Sequence, residues 1–164
     1  MSGEAVVDAS LFMAMNSTDE RIRRAGKRFF VERLDSGALM SLEQVGRCDA
    51  VIWGGHSRAE QDAYYPFMDN LHTDMRIDRV GYDEEDLRLA LTSTALADLP
   101  LTRRLTAAFA LNRGATLYTV DPLLVDRPDL PLGALPDGDE ARFPEPLERM
   151  YRESLALLVK PEDV

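Results

Sequence analysis

Two rhythms of apolar residues alternate along the chain. Residues 4–9, Glu-Ala-Val-Val-Asp-Ala, form an apolar run ending at an acid and read as a short buried strand, after which residues 10–16 carry Leu11, Phe12 and Met13 into a helix start. A second helix is predicted directly afterwards. Ser17 and Glu20 match a capping box, Asp19 and Glu20 suit the positive end of a helix, and Ile22, Ala25, Phe29 and Leu34 recur at helical spacing. Ser36-Gly37 stops it, and residues 38–41 read as a second strand. The next stretch is helical up to Gly54-Gly55, and residues 57–75 predict one helix or two half-helices, because Pro66 kinks or restarts the run. Residues 75–80 alternate as a half-buried strand does and end at Gly81. Asp83 is a natural N-cap for a helix reaching Leu99, and Pro100 separates it from another over residues 101–113, closed by Gly114. Residues 115–120 are the last clear strand, running into Asp121-Pro122. A Pro-, Gly- and Asp-rich loop over residues 122–146 precedes one final helix, with Leu147, Tyr151, Leu155 and Leu158 on a face.

Strands that alternate with helices predict an α/β fold with a parallel sheet, and in such sheets ligands bind beyond the carboxyl ends of the strands. Asp8 and Asp121 both fall at strand ends, so the pattern by itself makes them neighbours. Composition adds little to the fold but narrows the function. The 164 residues fit one domain, and 29 acids against 19 bases leave a formal net charge of -10. That balance argues against a general nucleic-acid coat, whose affinity comes from Lys and Arg on phosphates, but leaves room for a local basic groove. No apolar run approaches the length of a membrane span, and the first residues lack the pattern of a signal peptide. The single cysteine, Cys48, has no internal partner, and with two histidines it does not make a zinc site. The expectation is a cytoplasmic protein with no membrane partner.

Two segments carry a family resemblance. Val6-Val7-Asp8-Ala9-Ser10-Leu11-Phe12 resembles the opening of PIN-domain proteins, and residues 99–121, with Gly114-Ala115-Thr116-Leu117 before Thr119-Val120-Asp121, resemble the family's closing segment. The resemblance implies a three-layer fold with a central, mainly parallel sheet flanked by helices. The two segments cover about a quarter of the chain, and the implied domain is expected over residues 1–125, with residues 126–164 as a loop and helix extending it. It further implies an endoribonuclease dependent on Mg²⁺ or Mn²⁺, a hydrolase in which converging carboxylates hold the ion and a metal-bound water attacks the phosphodiester. Asp8 matches the family's first acid and Asp121 its last; Glu43 and Asp49 are the candidates for the second, on the helix after the second strand. The position of the third acid holds Arg103, with Arg104 beside it. A guanidinium there pairs with a carboxylate and competes with the cation, since opposite charges at ~4 Å attract by roughly 4 kcal/mol at an effective dielectric of 20.

Each signal has a plainer alternative. For Asp8 it is capping the following helix, for Asp121 starting a turn with Pro122, and for Glu43 and Asp49 a solvated helix face. Six basic residues between Arg21 and Arg33, Arg24 and Arg28 among them, read either as a solvated helix or, with Arg103 and Arg104, as contacts for RNA or an acidic partner protein. Tyr64, Tyr65, Phe67, Met68 and Leu71 read as core or as an exposed partner surface; His72, His56 and Cys48 are weak candidates for chemistry. Two functions therefore stand: a metal-dependent endoribonuclease acting on RNA, or a catalytically degenerate PIN-like protein that binds a partner or ligand, with Arg103 in the metal pocket. The resemblance also raises a homodimer.

Overall fold

The computed structural model describes residues 3–164. Four parallel strands, β1 (Ala5–Val7), β2 (Ala38–Ser41), β3 (Ile77–Val80) and β4 (Thr116–Tyr118), lie in the order β3-β2-β1-β4. Between them run α1 (Ala9–Ala14), α2 (Glu20–Glu32), α3 (Leu42–Gly55), α4 (Arg58–Asp74), α5 (Glu84–Thr92) and α6 (Leu101–Asn112), and α7 (Leu147–Ser154) follows β4. Pairing Val6 with both Leu39 and Leu117 makes β1 central.

Alternation along the strands sorts the helices into two layers. Ala5, Val7, Ala38 and Met40 face a core shared with Phe12, Phe29, Phe30, Ile52, Tyr64, Phe67 and Tyr151, contributed by α1 to α4 and α7. Val6, Leu39 and Leu117 point the other way, onto Ala90 of α5 and Ala107, Ala108 and Phe109 of α6. Successive strand residues project to opposite faces, so one short apolar run feeds both cores. The result is the three-layer α/β architecture expected from the sequence, with helices on both faces of an all-parallel sheet.

Local chemistry explains the helix ends. Gly114, at φ 59°, follows α6 in the left-handed conformation that a side chain disfavours. Asp83 and Asp86 form a reciprocal capping box at α5. The start of α2 differs from expectation: Asp19, not Ser17, is the N-cap, accepting from the amides of Arg21 and Ile22, while the Ser17 hydroxyl accepts from the Asp19 amide. Inside α2, a Cβ on Gly26 would lie 2.9 Å from that of Ala14, so the α1–α2 crossing needs glycine there.

Pro66 does not divide α4, which runs unbroken from Arg58 to Asp74. Pro66 and Asp62 are both exposed, so the carbonyl that loses its amide partner lies where water can replace it. The helix begun at Asp83 ends at Thr92, and Thr94–Leu96 is a separate 3₁₀ turn. Likewise α7 stops at Ser154, which leaves Leu158 exposed and buries Leu157 in its place. The aromatic and Met cluster of α4 is interior, apart from half-buried Tyr65, so it is not an exposed partner surface.

The segment beyond residue 125 belongs to the larger core through Phe143, Leu147, Tyr151, Leu157 and Val159. It is tied further by the Asn16 amide, which donates to the carbonyls of Ser154 and Leu157 at 3.0 and 3.1 Å. Lys27 and Glu148, each 1% exposed, pair at 2.8 Å.

Candidate functional site at the carboxyl edge of the sheet

The strands β1 and β4 end side by side, and their C-terminal residues are laced together by hydroxyls. Asp8 follows β1 and caps α1: its Oδ1 accepts from the Leu11 amide at 3.0 Å and from the Ser10 hydroxyl at 2.7 Å, and its Oδ2 accepts from the Thr119 hydroxyl. Ser10 in turn accepts from the Val120 amide at 3.1 Å, and Thr119 from the Asp121 amide at 3.0 Å. Burial holds the Asp8 carboxyl above its ordinary pKa against these hydrogen bonds, which favour the charged form; the nearby Asp121 charge acts with burial.

Asp121 also has two partners. Its Oδ1 accepts from the Leu123 amide at 2.9 Å, which starts the turn after the strand, and its Oδ2 accepts from Arg103 Nε at 2.8 Å. The guanidinium that sequence reasoning placed at the third acidic position thus reaches into the cleft and neutralises one of its carboxylates. Arg103 Nη1 donates to the Thr102 hydroxyl at 3.3 Å.

Asp8, Ser10, Thr102, Arg103, Thr106 and Asp121 line a narrow polar cleft of about 10 Å³, with Gln44, Arg47 and Val164 completing the wall. Such a volume holds about one water molecule. Gln44 and Arg47, rather than either candidate for the second acid, are the residues that α3 sends to this cleft, and Gln44 is held there on both sides. Its Oε1 accepts from the Ala9 amide at 2.9 Å, and its own amide donates to the Ser41 hydroxyl at the start of α3. Glu43, one residue earlier, accepts from the Tyr82 hydroxyl at 2.9 Å, and Asp49 accepts from the Tyr65 hydroxyl at 3.1 Å, so neither lines the cleft. The spacing Ser41-Leu42-Glu43-Gln44 is itself a capping-box pattern, which was the available signal for Gln44. Arg47 lies one helical turn further along α3 and, among the described residues, has no ion-pair partner within reach.

Other nominated residues serve elsewhere. Arg104 donates to the carbonyls of Leu99 and Ala97, at 2.6 and 2.8 Å, and pins the turn before α6. On α2, Arg24 pairs with Glu20 at 2.6 Å, and Arg28 pairs with Glu32 at 2.8 Å while also donating to the Asp139 carbonyl. Asp98 faces Arg127 at 2.7 Å. His72 packs on Phe12 with its ring centroid 5.0 Å away, its Nδ1 unpaired, and burial pushes its pKa down to about 4. His56 meets Glu60 at 2.8 Å, and burial raises the Cys48 thiol above its ordinary range.

A hard dication needs several converging carboxylate oxygens. The cleft offers two carboxylates: both Asp8 oxygens already accept from protein donors, and Asp121 faces a guanidinium. No group of three or more His, Cys, Asp or Glu side chains among the described residues could hold a metal ion. The residues present do not fit a Mg²⁺ or Mn²⁺ centre.

Beside the polar cleft lies an apolar cavity of about 270 Å³, lined by Met13, Ile22, Val120, Pro122, Val159 and Val164, with Ser10 and Asp121 at its polar end. An α/β protein with its polar cleft at the carboxyl edge of a parallel sheet, and an apolar cavity adjoining it, has the layout of a ligand-binding site in this fold class. Within that class the chain belongs to a family of unknown function, DUF6190, whose family model matches residues 1–164. No curated protein matches it. No helix of the described residues is long and apolar enough to cross a membrane.

Proposed function

We propose that this chain is a catalytically degenerate PIN-like protein, which binds a partner protein or small ligand at the carboxyl edge of its sheet instead of cleaving RNA. The observation that carries the reading is the 2.8 Å contact between Arg103 and Asp121, which supplies from the protein the positive charge a metal ion would otherwise bring. Gln44 supports it, because a neutral amide occupies the cleft wall on the helix where the family resemblance asks for an acid. The adjoining apolar cavity supports recognition, since binding sites pair apolar walls with a few fixed polar groups. The same reading has the protein working in the cytoplasm, with the lone Cys48 reduced, and has self-association as one form of partner binding.

Calorimetric titration with Mg²⁺ and Mn²⁺ tests the proposal, on the wild type and on Asp8→Asn in parallel. The expected result is no saturable heat from either protein at millimolar ion, and no cleavage of RNA. Saturable binding that disappears in Asp8→Asn overturns it and restores the metal-dependent endoribonuclease. Sedimentation at tens of micromolar reads self-association separately.

A further inference from the structure

The chain after α7 crosses the carboxyl edge of the sheet, and its hold on the protein changes abruptly at Lys160. Up to Val159 the segment is stitched down. The Val159 amide donates to the Asn16 carbonyl at 2.8 Å, the Thr18 amide donates to the Val159 carbonyl at 2.9 Å, and Val159 is 3% exposed. Beyond it the polar ties stop: among the described residues, no hydrogen bond or ion pair joins residues 160–164 to any other part of the chain, and Val164 alone packs against the larger core. The hydrogen bond from the Asp163 amide to the Lys160 carbonyl is internal to the segment. Residues 160–163 are exposed, and only Val164 turns back to a half-buried position.

The Val164 side chain lies where it matters. Val164 lines both the polar cleft and the apolar cavity, so it is part of the partition between them. Val159, Lys160, Pro161 and Glu162 line the apolar cavity, and Val159, Lys160 and Asp163 line an open groove of about 630 Å³ that reaches Arg47, Gly54 and Leu158. The segment therefore has space on both sides, the cleft with Arg47, Arg103 and Asp121 beneath Val164, and an anchored end at Val159. It also occupies the region that ligands take in open parallel sheets.

We infer that residues 160–164 form a strap, hinged after Val159, that walls the apolar cavity, lays Val164 over the polar cleft and must swing away for a ligand to reach that cleft. This inference rests on the cleft being the binding site, and it adds how that site is regulated: the chain itself competes with the ligand. Val164, packed against the larger core, is the strap's one half-buried side chain, and among the described residues no hydrogen bond ties the strap to the body, which puts it at the low-stability end of local opening while the sheet beneath stays formed. Displacing Val164 joins the polar cleft to the apolar cavity.

Thiol labelling tests this without knowledge of the ligand. Thr106 is 5% exposed and lines the cleft, so Thr106→Cys places a reporter under the strap; buried Cys48 is the internal control for general loosening. The Thr106→Cys thiol is expected to react slowly with N-ethylmaleimide. Adding Val164→Asp, or removing residues 161–164, is expected to speed it roughly ten-fold with Cys48 unlabelled, as selective local opening requires. Adding Val164→Ile is expected to leave it slow. Equal rates with and without the strap overturn the inference, as does equal acceleration of both thiols in both opening variants. Metal titration of the same proteins reads the binding proposal independently. Accelerated labelling together with saturable metal binding keeps the strap and sinks the silent-protein reading, whereas unchanged labelling without metal binding does the reverse.

Discussion

The Lys27–Glu148 pair and the Arg103–Asp121 pair have the same contact distance, 2.8 Å, in different settings. The first is sealed between α2 and α7, with both side chains 1% exposed, the ammonium 4.4 Å from the Tyr151 ring centroid, and the second Glu148 oxygen accepting from the Phe143 amide. The second sits in a cleft at the sheet edge, its side chains 20% and 10% exposed, beneath a segment with no hydrogen bond to the body. Charges locked inside a core hold the fold together and have no route to a partner. A pair at the carboxyl edge, with cavities beside it, is where exchange of partners is feasible.

The largest effect is expected at the sealed pair. Glu148→Ala leaves the buried Lys27 ammonium only its longer 3.4 Å contact to exposed Glu140 and should cost about 3 kcal/mol in urea unfolding, the low end of the scale for removing one partner of a buried pair. A loss under about 1 kcal/mol would show that Lys27 finds water and would erase the contrast between the two regions. Burial pushes the Glu148 carboxyl up, but the Lys27 ammonium and the Phe143 amide outweigh it and hold its pKa below the ordinary value. The stability it contributes is therefore present above the ordinary glutamate range and lost as pH falls through the lowered folded value.

His72 is another buried titratable group on that side of the sheet, and it acts in the same direction of pH. Burial lowers it to about 4, with Arg79 acting alike and Asp69 opposing. The unfolded chain binds a proton at a pKa near ~6.5 that the folded protein resists, so wild-type stability should fall by about 1–3 kcal/mol as pH drops from that value towards 4. His72→Phe should flatten this limb in pH-dependent thermal melts; an unchanged limb would assign it to other groups.

At the cleft, smaller changes are expected. Arg103→Ala removes a partly exposed pair and should cost about 1–2 kcal/mol. Arg103→Glu is more informative: a third carboxylate beside Asp121 is expected to create saturable Mn²⁺ binding in calorimetry that the wild type lacks, and no gain would mean that the cleft is not a neutralised cation site. Asp8→Asn keeps the helix cap through its remaining oxygen but cannot accept from the Thr119 hydroxyl, and should cost about 1 kcal/mol at neutral pH. Its signature lies at acid pH. With the folded Asp8 carboxyl raised, its ionisation penalises the fold as pH rises through the folded value, and the variant should lose that dependence.

How much of this could be read from residues alone varies with the range of the interaction. Asp83, Gly114 and the strand Ala5–Val7 were legible because their causes are local: a cap, a left-handed turn, an apolar run. Asp19 displaced Ser17 as the α2 cap because both fit the pattern and only the turn after α1 decides which side chain faces the free amides. Pro66 left one helix or two half-helices open, because the cost of proline in a helix depends on whether the freed carbonyl meets water. At the cleft, the strand-end acids and the arginine at the third position were visible by spacing. Gln44 was not, because attention to acids passed over an amide whose neighbour Glu43 carries the charge.

The sequence by itself determined the alternation of strands and helices, and with it the parallel sheet, the edge on which a site would form, and the adjacency of Asp8 and Asp121. These follow from periodicity and from the chemistry of chain termini within each element. Only the tertiary structure decided that Arg103 meets Asp121 rather than solvent, that Glu43 and Asp49 turn to tyrosines, and that Val164 lines the cleft. Those outcomes depend on which side chains from distant segments arrive at one place, and no local pattern encodes the direction from which they come.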